Sequence, residues 1–218
     1  MPRRALAEHR PYLLLSLVAG VSYYFAADEA IGGLWLMLWK GLAVGFLGLY
    51  AAHRGRGVDG GLIAVVMAMA ALGDMALEVS YVAAGVLFKL GHALALLLYA
   101  RNRREHLSRS QIGLAATLVV FIPIIAAALT YPLPNWFLAT TYALFLSVMV
   151  AAAWTSRFPR YRTGIGALLF AASHLFLIAR EGGDLAADLT NPAIWPLYFA
   201  GQFLIVTGVV QTLRGRRG

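Results

Sequence analysis

Long apolar runs recur along the chain, each closed by a short polar stretch. Eight can be drawn, at residues 11–27, 34–52, 60–79, 82–100, 111–131, 136–154, 164–180 and 193–213. An apolar run of about 20 residues, rising about 1.5 Å per residue, is long enough to cross the hydrocarbon core of a bilayer. The pattern predicts an all-α fold: a polytopic membrane bundle of eight transmembrane helices, forming a single integral membrane domain over residues 1–218. A β-barrel would show short segments alternating at every second residue instead. The connections are short, which predicts that sequential helices are antiparallel neighbours. The opening MPRRALAEHRPYLLL has a basic start and an apolar run but no small-residue cleavage site, and reads as a retained first helix.

The charges in the connections alternate. Arg3, Arg4 and Arg10 precede the first run, Arg54 and Arg56 fill the second connection, and Arg101, Arg103, Arg104 and Arg109 fill the fourth. Arg157, Arg160 and Arg162 fill the sixth, and Arg214, Arg216 and Arg217 end the chain. The odd connections carry Asp28 and Glu29, then almost nothing, then TYPLPNW, then EGGDLAADLTNP. Basic residues stay on the cytoplasmic side, so both termini are expected there. A missed or surplus span would break the alternation.

Composition agrees with the runs. The 218 residues are 61% hydrophobic and 13% charged, with mean hydropathy +0.72. The net charge is +8, but the basic residues flank apolar runs, where they meet lipid headgroups and not nucleic acid. The chain has no cysteine, which excludes disulfides and thiolate chemistry. The expected location is an integral position in a bacterial inner (plasma) membrane. A homo-oligomer is compatible with the pattern.

Titratable residues inside the apolar runs are the informative exception, because a charge at membrane depth is costly and marks a working site. Asp74 and Glu78 lie in VVMAMAALGDMALE, Lys89 and His92 in VAAGVLFKLGHALALLLY, and His174 in GALLFAASHLFLIA. Asp74 and Glu78 are four apart on one helix face. Two carboxyls in a dry site cannot both ionise cheaply, which sets an acid beside a base; the structural alternative is neutralisation by Lys40, Lys89 or Arg180. Lys89 and His92 are three apart and share a face. They suit a cation for phosphate beside a proton-handling histidine, or simple snorkelling of the lysine. Counting along alternating spans places Lys89 and His92 about 10–15 Å below the outer surface. Lys40, Asp74, Tyr198 and Gln202 fall at comparable depth, His174 near the middle or slightly above it, and Arg180 at its outer mouth. One polar layer predicts one pocket open toward the outer leaflet. Scattered glycines, among them Gly73, Gly85, Gly91, Gly164, Gly166, Gly201 and Gly208, are explained by close helix packing, and Pro123 is expected to kink the fifth helix. There is no HExxH, GxSxG, P-loop or dinucleotide fingerprint. Asp74, Glu78, His92 and His174 have residue types that suit zinc, but no ligand spacing supports it, and no metal is expected.

Two blocks resemble the lysoplasmalogenase, or YhhN-like, family of eight-span membrane proteins. The first is LGDMALE (72–78), followed by Phe88, Gly91-His92 and Tyr99; the second is GALLFAASHLFLIAR (166–180), followed by PLYFAGQFLIVTGV (196–209). The resemblance implies hydrolysis of the vinyl ether bond of a lysoplasmalogen to a fatty aldehyde and a glycerophospho-ethanolamine or -choline, without a cofactor. The family's first block carries a Gly-Asp, matched by Gly73-Asp74. Its second usually carries a Ser-Asp, and here reads Ser173-His174. The resemblance thus implies Asp74 as the principal acid, with His174, and Glu78 in reserve, handling the water proton. Lys89, Arg180 and Lys40 would steer a lysophospholipid phosphate, and His92, Tyr198 and Gln202 would orient its polar group. The competing classes are a small-solute or proton-linked transporter, in which the same residues line a relay, and a lysolipid-binding protein without turnover.

Overall fold

The computed structural model describes residues 10–27, 29, 33–182 and 187–215. The charges expected at Arg3, Arg4, Asp28, Arg216 and Arg217, and residues 183–186 of the seventh connection, lie outside the described residues. Every apolar run is helical: α1 Pro11–Ala26, α2 Gly33–Arg54, α3 Gly57–Leu77, α4 Tyr81–Arg101, α5 Arg109–Thr130, α6 Trp136–Thr155, α7 Ile165–Gly182 and α8 Ala187–Gly215. A π-helical turn, Arg160–Gly164, leads into α7. Among the described residues there are no strands, only one isolated bridge between Arg103 and Ser156. Seven of the helices are long and apolar enough to cross a membrane, and α1 is a shorter apolar helix of 16 residues. Large apolar side chains such as Val18, Phe25, Leu42, Leu72, Leu97, Phe121 and Phe145 are exposed, as expected of a surface that faces hydrocarbon and not water. Pro123 lies inside α5, which continues through it to Thr130.

Contacts group the chain into two compact units, Met1–Leu94 with Val210–Gly218, and Ala95–Val209. In the first unit α1 packs on α2 and α2 on α3. The α1–α2 seam is antiparallel and polar at intervals. Tyr12 meets His53 edge-on at 5.9 Å, Ser16 Oγ donates to the Ala43 carbonyl at 2.6 Å, and Trp39 Nε1 donates to Ser22 Oγ at 3.1 Å. In an apolar surrounding these bonds replace the hydration the groups have lost. The turn from α2 to α3 needs glycine: Gly57 has φ +64°, and a Cβ at Gly55 would stand 2.8 Å from the Gly60 Cα. That turn folds α3 back along α2.

In the second unit α5 packs on α6, and both pack on α7. Ser108 and Gln111 close a reciprocal capping box at the start of α5, satisfying two of the otherwise orphaned donors there. The two basic connections of this unit are tied together. The Arg157 amide donates to the Asn102 carbonyl at 2.7 Å, Arg104 donates through Nε and Nη2 to the Ser156 carbonyl, and Arg157 pairs with Glu105 at 2.6 Å. α7 and α8 approach to backbone contact, where a Cβ on Gly166 would stand 2.7 Å from the Gly201 oxygen and one on Gly201 2.7 Å from the Gly166 oxygen.

Candidate active site

The residues picked out along the chain divide between the units. Lys40, Asp74, Glu78, Lys89 and His92 belong to the first, and His174, Arg180, Tyr198 and Gln202 to the second. Each group is described within its own unit.

In the first unit the centre is Lys40 on α2. Its Nζ lies 2.8 Å from Glu78 Oε1, with side-chain exposures of 15% and 45% respectively. Asp74, one turn before Glu78, is 2% exposed and lies within electrostatic range of Lys40, as does Tyr23 of α1. Lys40 is thus a cation facing two carboxyls and a phenol. Small residues allow this approach. Gly41, next to Lys40, is where α2 closes on Met75; a Cβ there would stand 2.5 Å from the Met75 Cγ. Gly73, next to Asp74, lies beneath the ring of Phe88, whose atoms would be 3.0–3.1 Å from an added Cβ. The glycine therefore has a physical reading: it lets an aromatic ring from α4 lie on the α3 backbone beside Asp74. On α4, His92 is buried and Lys89 half-buried, and both engage neighbours.

In the second unit His174 is 3% exposed and set among tilted aromatic rings. Phe170 is 4.2 Å away, Tyr142 5.7 Å and Tyr198 5.8 Å, centroid to centroid. Its Nδ1 lies 2.9 Å from the Phe170 carbonyl. A carbonyl only accepts, so Nδ1 carries the proton, and in the neutral ring Nε2 keeps the lone pair. The tautomer is assigned from that bond, and it makes Nε2 a proton acceptor. Ser173 Oγ donates to the Ile194 carbonyl at 2.7 Å and so ties α7 to α8. Tyr198 and Gln202, one turn apart on α8, are both buried. Arg180, at the end of α7, donates to Asn191 Oδ1 at 3.0 Å and to Glu181 Oε1 at 3.2 Å.

Tyr23, Tyr142 and Phe170 were not picked out from the sequence. Each sits in an ordinary apolar run, and hydropathy gives no sign of which ring will face a distant titratable group.

These features define a class: an all-helical, polytopic protein with helices of membrane-spanning length that carry titratable side chains among apolar neighbours. Residues 35–209 match the model of the YhhN family. The chain belongs to that family, which is the lysoplasmalogenase family. The matched stretch contains both blocks of the resemblance and every candidate site residue from Lys40 to Gln202. Comparisons with curated proteins and with solved structures returned no match.

Proposed function

We propose that this protein is an eight-span membrane hydrolase of a bacterial inner membrane, with both termini cytoplasmic, that cleaves the vinyl ether bond of lysoplasmalogens. The observation that carries the reading is the family match over residues 35–209, together with the buried Asp74 beside Lys40 in the matched Gly-Asp block. The chemistry suits the residues. Asp74 donates a proton to the β-carbon of the vinyl ether, and an oxocarbenium ion forms at the carbon bearing oxygen. Water adds to that carbon and gives up a proton, and the hemiacetal collapses to a fatty aldehyde and the glycerophospho alcohol. The site must deliver one proton, accept one and stabilise a passing cation. The lone pair on His174 Nε2 suits acceptance, and the Glu78 carboxylate suits the electrostatic role while it holds Lys40. Lys89, His92 and Arg180 are assigned to the phosphate and headgroup, and Tyr198 and Gln202 to orientation. No cofactor is required for this sequence of steps.

The test is release of aldehyde from a lysoplasmalogen by the purified protein, with the ester-linked lysolipid as control. Asp74→Asn is expected to lower turnover by about two to four orders of magnitude while the protein stays folded. Full turnover in that variant removes Asp74 from the acid role. His174→Asp restores the family's usual Ser-Asp pair and is expected to raise activity; unchanged activity would argue against His174 occupying the slot of the family's second carboxylate. Bound lysolipid without aldehyde would indicate a binder, and solute flux in liposomes a carrier.

A further inference from the structure

At the end of α2, away from the residues assigned to hydrolysis, the first unit holds a second polar cluster. Tyr50 is 1% exposed, and its hydroxyl has no hydrogen-bond partner. One turn on, Arg54 Nε is also buried and unpartnered. The two residues share a helix face and lie within electrostatic range of each other. Three more guanidinium groups, from separate segments, act on Arg54 with like charge: Arg10 before α1, Arg56 in the turn to α3 and Arg214 near the end of α8.

As it stands this arrangement is unfavourable on two counts. A buried donor without an acceptor forfeits its hydration, and like-charged guanidinium groups brought to one end of the unit repel one another. The other basic connections avoid this, since Arg157 pairs with Glu105 and Arg104 is bonded to a carbonyl. One kind of group relieves both penalties at once: an anion with several acceptor oxygens. Guanidinium forks match the spacing of phosphate oxygens, and the Tyr50 hydroxyl supplies a further donor.

We propose that Tyr50 and Arg54, with Arg10, Arg56 and Arg214, form a phosphate-binding site at the end of α2. The phosphate is either the headgroup of an anionic lipid or a free phosphate from solution. The site stands independently of the hydrolase reading, because none of its residues is assigned to the reaction.

The experiment uses the purified full-length protein in detergent, stripped of lipid. One arm measures the thermal unfolding midpoint in sodium phosphate against sodium chloride at equal ionic strength. The other counts retained phosphatidylglycerol against phosphatidylcholine by native mass spectrometry. Arg54→Gln is expected to weaken the preferred probe about tenfold or more, and Tyr50→Phe about threefold to tenfold. Arg103→Gln, a basic-loop control in the other unit, is expected to leave binding unchanged. Without any probe, Tyr50→Phe is expected to match or exceed the parent in midpoint, because it removes an unpaired hydroxyl and keeps the ring. Stabilisation by phosphate identifies the free anion, and selective retention of phosphatidylglycerol identifies the lipid headgroup. The proposal is overturned if neither probe is preferred over its control, or if Tyr50→Phe and Arg54→Gln bind as the parent does.

Discussion

Lys40 is the residue on which the first unit's polar cluster depends. It pairs with a half-exposed Glu78 and lies within electrostatic range of a buried Asp74. The two partners are not equivalent when the lysine is removed. Glu78 can hydrate where it stands, so Glu78→Gln is expected to cost within about 1 kcal/mol, as for an accessible ion pair. Asp74 cannot, so Lys40→Met, which deprives a buried carboxyl of that counter-charge, is expected to cost about 3 kcal/mol. Adding Asp74→Asn to the Lys40→Met variant should recover much of the loss, because the buried carboxylate that has lost the lysine's charge is then gone. Chemical unfolding of the four proteins in detergent checks this. Equal losses from Lys40→Met and Glu78→Gln, with no recovery in the double variant, would mean that Asp74 does not depend on the lysine.

Helices in this chain meet through glycine at some seams and not at others, and the difference decides what a methyl group does. A Cβ at Gly201 would stand 2.7 Å from the Gly166 oxygen and 2.8 Å from the Phe170 amide nitrogen. Those are backbone atoms that yield only if α7 and α8 move apart, so Gly201→Ala is expected to destabilise by about 2–3 kcal/mol. It should also disturb the packing of Phe170, His174 and Tyr198 along the same seam. Gly45 in α2 has nothing within 4 Å of its Cβ position. Gly45→Ala is therefore expected to stabilise by about 0.5–1 kcal/mol, since it removes helix-breaking freedom without a clash. Thermal unfolding of the pair tests the contrast, and the same sign for both would refute it. This ranking was not legible in the sequence, where the glycines look alike. The eight helices were legible, because apolar runs of bilayer length leave the backbone little choice but to satisfy itself internally. The start of α5 was legible in principle too, from the spacing of Ser108 and Gln111. The π-turn Arg160–Gly164 was not: its RYRTG sequence reads as a polar connection, and Gly164 there is fixed by contact with Trp154. The same limit applies to the site. Burial of Asp74 and His174 follows from the runs they sit in, but a helix's rotation about its axis is set by packing across seams. The pairing of Lys40 with Glu78, and of His174 with Tyr142 and Phe170, depends on that rotation.

Whether all eight helices cross the bilayer turns on α1, whose 16 residues span only about 24 Å against about 30 Å of hydrocarbon. Two observations favour crossing. The α1–α2 contacts run antiparallel along nearly the full length of α1, from Tyr12–His53 through Ser16–Ala43 to Ser22–Trp39. The start of α1 and the end of α8 also come to the same end of the first unit, since Arg10 and Arg214 both act on Arg54. A helix that lay flat on one surface could not keep antiparallel register with a spanning α2. We propose on these grounds an even number of crossings, with tilt or local thinning of the bilayer accommodating the short helix. Charge sets the direction. Of the 18 Lys and Arg, all but Lys40, Lys89 and Arg180 lie in the even connections or at the two ends, the distribution expected if those regions are cytoplasmic. The absence of native cysteine makes the test clean, because any single introduced cysteine is the only thiol. Cysteine in place of Glu29, Ser80, Asn135 or Glu181 is expected to react with a membrane-impermeant maleimide on intact cells. Cysteine in place of Arg10, Arg56, Arg103 or Arg160 is expected to react only after permeabilisation. The pair at the two ends of α1 is decisive: Arg10→Cys and Glu29→Cys reacting from the same side would mean that α1 does not cross. Seven crossings would then separate the two ends of the chain, and the shared arginine end of the first unit could not exist in the membrane.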